Sequence, residues 1–412
     1  MTQLPAADTV TSSGRRRYLS RNASFYLLAS ITVSFLAGSA VPTPLYAVYQ
    51  EAWGFSPITL TVIFGAYAIA VLSSLLIVGR LSDHLGRRPI LIFSTFAQLL
   101  TMIAFALASS AQDLLVIRIM QGLITGAAIA AVGAGMIDID RVKGSVANAV
   151  SPVFGTAIGA LVGGAMVQYL PYPTHLVFAL LGVVFALQCL GVILMNETVT
   201  PAAGAIASLK PRFTLPAATQ RPMLFAMPAL VALWALAGFY GALGPTLMSS
   251  MLGTHSPLLG SVVLFVLGLF AGLAVLIFQH REPQLMMKVG PSALFVGTAI
   301  TVASLPNQTV SVFFVGTIIA GVGFGLSFQG AVRSIMPLAA AHERAGVLSL
   351  IYVVSYLALG LPAIVAGYFL SQHASILHTA EVFGAVVMGL SALALMGTVS
   401  ASRFAAQEPL KV

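Results

Sequence analysis

The sequence predicts an all-α integral membrane protein with twelve transmembrane helices arranged as two six-helix halves. Of its 412 residues, 58% are hydrophobic and only 7% are charged, and the mean hydropathy is +0.99. A soluble core cannot bury that much apolar surface. Apolar segments long enough to cross about 30 Å of hydrocarbon recur along the chain. The basic residues fall between these segments in a regular alternation.

Twelve apolar segments are expected to form the spans, and most contain glycine, which membrane helices tolerate and use for close packing. We place them at 22–49, 57–78, 89–108, 114–137, 147–170, 175–195, 223–251, 258–278, 291–305, 308–328, 346–370 and 379–400. The ninth span is the shortest. In span 1, Pro42 and Pro44 predict a break near the outer end of the helix.

The basic residues predict the orientation of the chain. If the spans alternate in direction, every Lys and Arg except Arg118 lies on one face of the membrane. These residues are Arg15, Arg16, Arg17, Arg21, Arg80, Arg87, Arg88, Arg141, Lys143, Lys210, Arg212, Arg221, Arg281, Lys288, Arg333, Arg344, Arg403 and Lys411. By the positive-inside rule this face, with both termini, is expected in the cytoplasm. The net charge of +8 then follows from loop placement and does not indicate nucleic-acid binding.

The longest polar interval, 196–222, divides the chain into halves at 22–195 and 223–400, with cytoplasmic tails at 1–21 and 401–412. The halves share a Gly-x3-Pro-Thr pattern, at 38–43 and 241–246, about half the chain apart, as a duplicated six-span unit requires. Arg15, Arg16 and Arg17 precede an apolar run as in a cleavable signal. Because that run continues to Tyr49, we expect a retained first span.

Catalytic and metal patterns are lacking in the sequence. Its single cysteine, Cys189, lies inside an apolar run without metal-type spacing, and a lone cysteine cannot form an intramolecular disulfide. No nucleotide-binding pattern occurs. We therefore expect no cofactor, no metal and no enzymatic activity.

The loop between spans 2 and 3, residues 79–89 (GRLSDHLGRRP), concentrates charge that cannot lie in lipid. It resembles the Gly-x-x-x-Asp-Arg-x-Gly-Arg-Arg loop of the major facilitator superfamily, with His84 in place of the usual Arg. The matching residues are Gly79, Asp83, Gly86, Arg87 and Arg88. The resemblance implies a two-half transporter in which these residues, with Asp138, form a conformational latch. The alternative is a plain basic loop with a helix-capping aspartate. The loop at 280–291 does not repeat the acidic motif, so an asymmetric latch is expected.

Arg118 is the only basic residue inside a span. A charge there costs about 2.5–3.5 kcal/mol on insertion scales, so it should face a cavity or a partner. With Gln121 at i+3 and Gly122, it resembles the Arg-x-x-Gln-Gly pattern of the same family. The alternative is an arginine that extends to the outer interface, near Asp113.

Span 5 contains a glycine motif at 155–164 (GTAIGALVGG) that resembles the family's antiporter motif, with Ala160 in place of its proline. The resemblance implies export. Gly155, Gly159 and Gly163 share one helix face, which we expect to pack against the opposite half; Gly164 completes the motif. The alternative is an ordinary packing face within one half.

Aromatic and polar side chains inside spans are candidates for the lining of a central cavity. They are Tyr46, Tyr67, Gln98, Asn148, Trp234, Tyr240, Tyr352 and Tyr356. Such a lining suits lipophilic, cationic or zwitterionic compounds. Singly, each residue fits helix packing or interfacial anchoring equally well.

No acidic residue lies in the centre of a span. All fall in tails, loops or span ends: Asp8, Glu51, Asp83, Asp113, Asp138, Asp140, Glu197, Glu282, Glu343, Glu381 and Glu408. Proton coupling is therefore an expectation from the family. The carboxylates available for it are Asp113, Glu51, Glu381, Asp138 and Asp83.

The resulting hypothesis is a monomeric secondary transporter of the bacterial inner membrane that exports small drug-like molecules in exchange for protons. One alternative is an uptake symporter or uniporter for a sugar or an organic anion, with Arg118 as the partner of the anion. Another, of a different class, is a non-transporting membrane sensor or lipid-handling protein.

Overall fold

The computed structural model describes residues 18–211, 213, 215–253, 256–340 and 343–407, with side chains described up to 398. Of the predicted basic residues, Arg15, Arg16, Arg17, Arg212 and Lys411 lie outside these ranges, as do Asp8, Glu408 and the side chain of Arg403. Within them, 12 helices are long and apolar enough to cross a membrane. This confirms the predicted fold class.

The spans as observed begin and end close to the predicted positions. Spans 1 to 12 are Arg21–Trp53, Pro57–Val78, Arg87–Ala106, Ala111–Ile139, Arg141–Tyr169, Pro173–Ile193, Ala217–Leu252, Pro257–Phe278, Pro283–Ser304, Val310–Leu338, Arg344–Ser371 and Ile376–Thr398. Short helices at Leu81–Leu85 and Ala205–Ser208 lie between spans 2 and 3 and between spans 6 and 7.

Several helices extend further into the polar connections than the sequence predicted. Span 9 begins at Pro283 and contains Pro291 in its interior, so the predicted loop at 280–291 is wrong. Spans 4 and 5 meet at Asp140, and span 7 begins at Ala217 inside the predicted central loop. The physical reason is that long basic side chains such as Lys288, which is exposed, can lie on a helix end and still reach the interface.

Span 1 consists of two helices, Arg21–Ala40 and Pro42–Trp53, that meet at Val41. Proline has no backbone N–H, so Pro42 leaves the carbonyl of Gly38 without its helical donor. The corresponding Pro245 lies inside span 7, whose helix is continuous from Ala217 to Leu252. The two Gly-x3-Pro-Thr copies therefore produce different backbones.

Spans 1–6 and spans 7–12 each form a packed half. In the N-terminal half span 2 packs on span 4, span 1 on span 5, and span 3 on span 6. In the C-terminal half span 9 packs on spans 10 and 12, and span 7 on spans 11 and 12. The halves join mainly where span 2 meets span 11 and where span 5 meets span 8.

We call the face that carries Arg80, Arg87, Arg88 and Arg141 the basic face. The described contacts between the halves run from the opposite face towards the middle of the bundle. At the opposite face the Ile58 N–H donates to Ser371 Oγ over 3.1 Å, and Ser256 Oγ lies 3.5 Å from Gln168 Oε1. Deeper, a Cβ on Gly272 would lie 2.9 Å from the ring of Phe154.

Candidate functional site

Arg118 lies buried in the middle of the N-terminal half, with only 1% of its surface exposed. Its Nη1 donates to Ser39 O over 2.9 Å and to Gln121 Oε1 over 2.8 Å. Its guanidinium carbon lies 4.2 Å from the ring centroid of Tyr67, a cation–π contact. The side chain therefore does not extend to the interface.

Gln121 completes this arrangement because span 1 is broken. Its Nε2 donates over 3.0 Å to Gly38 O, the carbonyl that Pro42 leaves without a helical donor. Its Oε1 accepts from Arg118. The pair at i and i+3 on span 4 thus satisfies the backbone exposed by the break in span 1 and fixes the spacing of the two helices.

The other polar candidates of the N-terminal half lie at separate positions and have no described hydrogen bond to Arg118. Asp113 accepts from the N–H and Oγ of Ser109, both over 3.0 Å, at the start of span 4, and it does not pair with Arg118. Asn148 Nδ2 donates to Gly133 O over 2.9 Å and joins spans 4 and 5. Gln98 is fully buried, and its amide has no described partner.

Tyr46, which follows the break in span 1, and Tyr67, on span 2, both lie close to Arg118. Tyr46 is 1% exposed, and its hydroxyl has no described partner. The hydroxyl of Tyr67 lies near those of Ser39 and Thr125.

The C-terminal half contributes a cluster of aromatic side chains around Trp234, which we call the aromatic wall. Its ring lies 5.3 Å from Phe324 and 5.7 Å from Phe328, both edge-on, and 6.3 Å from Tyr356 in a stacked arrangement. Tyr352 continues the cluster at 6.5 Å from Tyr356. Phe324 and Phe328 were not among the residues predicted from the sequence, although their i, i+4 spacing on span 10 carried the signal.

Two observations relate this cluster to the interface between the halves. Trp234, Tyr352 and Tyr356 are only partly buried, and Tyr356 lies close to Tyr67 of the N-terminal half. Tyr240 is not part of this wall. It is 3% exposed and packs 5.9 Å from Phe313 within its own half.

At the basic face, Arg87 joins the charged loop to span 4. Only 6% of its surface is exposed. Its Nη1 pairs with Asp83 and donates to Ser82 Oγ over 2.7 Å, and its Nε lies 3.2 Å from Asp138 Oδ2. The structure therefore brings together Asp83, Arg87 and Asp138, the three charges at the centre of the latch hypothesis.

Glu197, which the sequence did not predict in this cluster, binds the start of span 3. Its carboxylate accepts from the N–H groups of Arg87 over 2.8 Å and Arg88 over 3.0 Å, where an anion also complements the helix dipole. Gly86, at φ +98°, lies so close that a Cβ would be 2.5 Å from Glu197 Oε2. A lone glutamate in a polar interval gives no sequence signal for such a distant partner.

The remaining loop residues have other partners. Arg88 bonds the carbonyls of Val192 and Ile193 at the end of span 6. His84 Nδ1 lies 3.0 Å from Ala203 O in the central connection. A Cβ on Gly79 would lie 2.3 Å from Leu75 O, so the turn after span 2 requires glycine. The described polar partners of this loop belong to the N-terminal half or to the first residues of the central connection.

The glycine motif of span 5 faces mostly its own half, which corrects the expectation from the sequence. A Cβ on Gly159 would lie 2.3 Å from Ala37 O, and Gly155 and Gly163 likewise abut span 1. Gly164 alone of the four lies against span 8, at Ser261. Helical spacing predicted the shared face, but only the packing of the helices decides which neighbour meets it.

Comparison with known proteins agrees with this architecture. The family model described as Major Facilitator Superfamily matches residues 27–361. Multidrug resistance protein MdtL of Klebsiella pneumoniae (strain 342) is 25% identical over 333 residues, covering 74% of this chain and 80% of that protein. MdtL of Escherichia coli (strain K12) is 27% identical over 301 residues, covering 66% and 71%.

Among solved structures, the nucleoside transporter NupG superposes with a TM-score of 0.66 at 11% identity, covering 95% of this chain and 100% of that one. At this identity the likeness concerns the fold alone. Members of the matched superfamily are generally carriers rather than enzymes. The chain belongs to the Major Facilitator Superfamily, as a multi-pass transporter of the bacterial inner membrane.

Proposed function

We propose that this transporter exports small organic, drug-like molecules across the inner membrane in exchange for protons. The observation that carries the proposal is the match, over 66–74% of the chain, to relatives named multidrug resistance proteins. The aromatic wall around Trp234 supports it, because partly exposed aromatic rings bind diverse apolar groups. The chain would act as a monomer, without cofactor or metal and without catalysis.

Alternating access of the two halves would move the substrate. With the basic face in the cytoplasm, the contacts from the opposite face to mid-bundle correspond to an inward-facing state. The cluster of Asp83, Arg87 and Asp138 would then act as a latch that engages the C-terminal half in the outward-facing state. Gly79, Gly86 and Arg88 would shape the loop that carries it.

Proton coupling would use a carboxylate at this cluster. Asp138 is the best candidate, because it contacts Arg87 and also accepts from Thr198 Oγ1 over 3.1 Å. Protonation would weaken both contacts. Among the outer carboxylates, Asp113 is bound to Ser109, and Glu381 pairs with the exposed His378.

The test uses vesicles containing the purified transporter. If export is proton-driven, an imposed pH gradient should drive at least one drug-like compound in the direction opposite to the proton flow. The compounds span all charge classes: a cationic dye such as ethidium or Hoechst 33342, a neutral drug such as chloramphenicol, and an aromatic acid such as 2-naphthoate. Asp138→Asn should abolish the gradient-driven movement while solute equilibration persists, with Asp113→Asn as the matched control. Gradient-driven movement unaffected by Asp138→Asn would exclude this coupling site, and no movement of any compound would contradict export.

A second function, uptake of an organic anion, is favoured by one observation, the buried positive charge of Arg118. It predicts that an inward proton gradient would accumulate an anionic solute in the direction of the proton flow. The direction of movement in the same vesicles separates the two functions.

A further inference from the structure

Arg118 is a buried cation whose charge no described carboxylate balances. The ion pairs in the described chain join Arg87 to Asp83 and Asp138, Lys143 to Asp140 and His378 to Glu381. All of them lie at helix ends. A charge buried in a low-dielectric interior without a counter-ion attracts an anion strongly and repels a cation.

The guanidinium also has hydrogen-bonding capacity that the protein leaves unused. Two of its N–H groups, both on Nη1, donate to Ser39 and Gln121. The Nε–H is buried without a described partner. The N–H groups of a guanidinium lie in its plane, and the Nη1 side is used by Ser39 and Gln121. A further acceptor would therefore approach along the Nε edge. Carboxylates bind arginine along that edge.

Across the interface between the halves, the aromatic wall offers a matching surface. Tyr356 lies close to Tyr67, and Trp234 stacks on Tyr356 with 19° between the rings. The indole Nε1–H of Trp234 is buried without a described partner. The aromatic wall thus offers ring faces and one unused hydrogen-bond donor. None of its described residues carries a carboxylate that could attract a cation.

We infer that this site binds aromatic organic acids, as anions or zwitterions, in preference to lipophilic cations. The aromatic ring of the ligand would stack at Trp234 and Tyr356, and its carboxylate would reach the Nε edge of Arg118 beside Tyr67. The inference rests on the proposed transport function and names its substrate class. It narrows the sequence-based expectation, which included lipophilic cations.

The test measures binding to the purified full-length protein in detergent by titration calorimetry. Three probes share one ring system and differ in charge: 2-naphthoate, the neutral 2-naphthamide, and 2-naphthylmethylammonium. We expect 2-naphthoate to bind at least about tenfold more tightly than the ammonium compound, with the amide between them. Equal or tighter binding of the ammonium compound, or no measurable binding of any probe, would overturn the inference.

Arg118→Gln tests the assigned residue. It should weaken 2-naphthoate binding about tenfold and change 2-naphthamide binding by less than about twofold. Arg333→Gln is the matched control, since Arg333 lies at the basic end of span 10 and donates to Gln279 O. A uniform loss for all three probes in a folded Arg118→Gln protein would contradict the assignment. If that variant does not fold, the binding order of the three probes on the unmodified protein decides whether the inference holds.

Binding and transport can fail separately. A protein that selects 2-naphthoate in detergent but moves no solute in vesicles would retain this inference and lose the proposed export. A protein that exports cations against their gradient and binds the ammonium probe best would retain export and lose this inference.

Discussion

The two halves have the same helix count but are held together by different interactions. In the N-terminal half polar side chains reach from one span to another: Gln121 to Gly38, Asn148 to Gly133, and Ser74 Oγ to Leu123 O over 2.6 Å. In the C-terminal half the described polar contacts between spans are few, and Arg333 to Gln279 is the clearest.

The C-terminal half has close backbone approach and aromatic packing without most of these polar contacts, whereas the N-terminal half has both, as at Gly159 beside Ala37. Spans 9 and 10 meet so closely that a Cβ on Gly297 would lie 2.3 Å from Ala320 N, and one on Gly323 2.3 Å from Leu294 N. Without a hydrophobic driving force between helices in lipid, such packing and interhelical hydrogen bonds are the available stabilising interactions. Both halves thus use close packing, and the N-terminal half adds polar contacts between its spans.

The largest effect on stability is expected from Arg87→Ala in the N-terminal half. It removes a buried side chain that pairs with Asp83 and Asp138 and donates to Ser82 Oγ. Because both carboxylates are partly exposed, the cost comes mainly from the lost hydrogen bonds and packing of Arg87, together about 3 kcal/mol. Thermal unfolding in detergent measures the loss. Arg333→Ala in the C-terminal half is the control and should cost less than half as much. Equal losses would mean that charge pairing does not distinguish the halves.

Gly297→Ala in the C-terminal half should cost about 2 kcal/mol, because the new methyl group meets the backbone of span 10 rather than a flexible side chain. Gly389→Ala in span 12 is the matched control, since its Cβ would enter open space. The same unfolding measurement should separate the two variants. A Gly297 variant as stable as the Gly389 variant would show that spans 9 and 10 have room to move apart.

Gln121→Ala should destabilise the N-terminal half by about 1.5 kcal/mol, because Gly38 O and one N–H of Arg118 lose their partners while remaining buried. Urea or thermal unfolding would report the change. Gln121→Asn keeps an amide on a side chain that is one methylene shorter, so it should lose less stability than Gln121→Ala but remain less stable than the parent. No destabilisation would mean that the break in span 1 does not depend on this bond.

Ser355→Ala in the C-terminal half should have the smallest effect, within about 0.5 kcal/mol of the parent. Ser355 is 1% exposed, and its Oγ has no described partner. Removing a buried hydroxyl without a partner loses no hydrogen bond. A loss as large as that for Gln121→Ala would contradict the contrast between the halves.

The fold was predictable from the sequence because a lipid environment leaves few choices. Helices must satisfy their own backbone, so apolar length and basic-residue placement predict the spans. Span 9 was the least accurate, since Pro291 within a helix resembles a loop boundary. The candidate site was predicted in part. The sequence identified Arg118, Gln121, Trp234 and Tyr356, but it grouped them with three residues that the structure does not bring to this site. Asn148 bonds Gly133, Tyr240 packs on Phe313, and the amide of Gln98 has no described partner.

The sequence by itself determined the twelve helices, their division into halves and the presence of one cation in an apolar interior. Only the tertiary structure decided what each polar group meets. Glu197 lies more than a hundred residues from Arg87 and Arg88, whose N–H groups it accepts from, and Gly155, Gly159 and Gly163 face span 1 rather than the opposite half. Helical periodicity defines the face on which a side chain lies, but the packing of several helices at once determines which neighbour that face contacts.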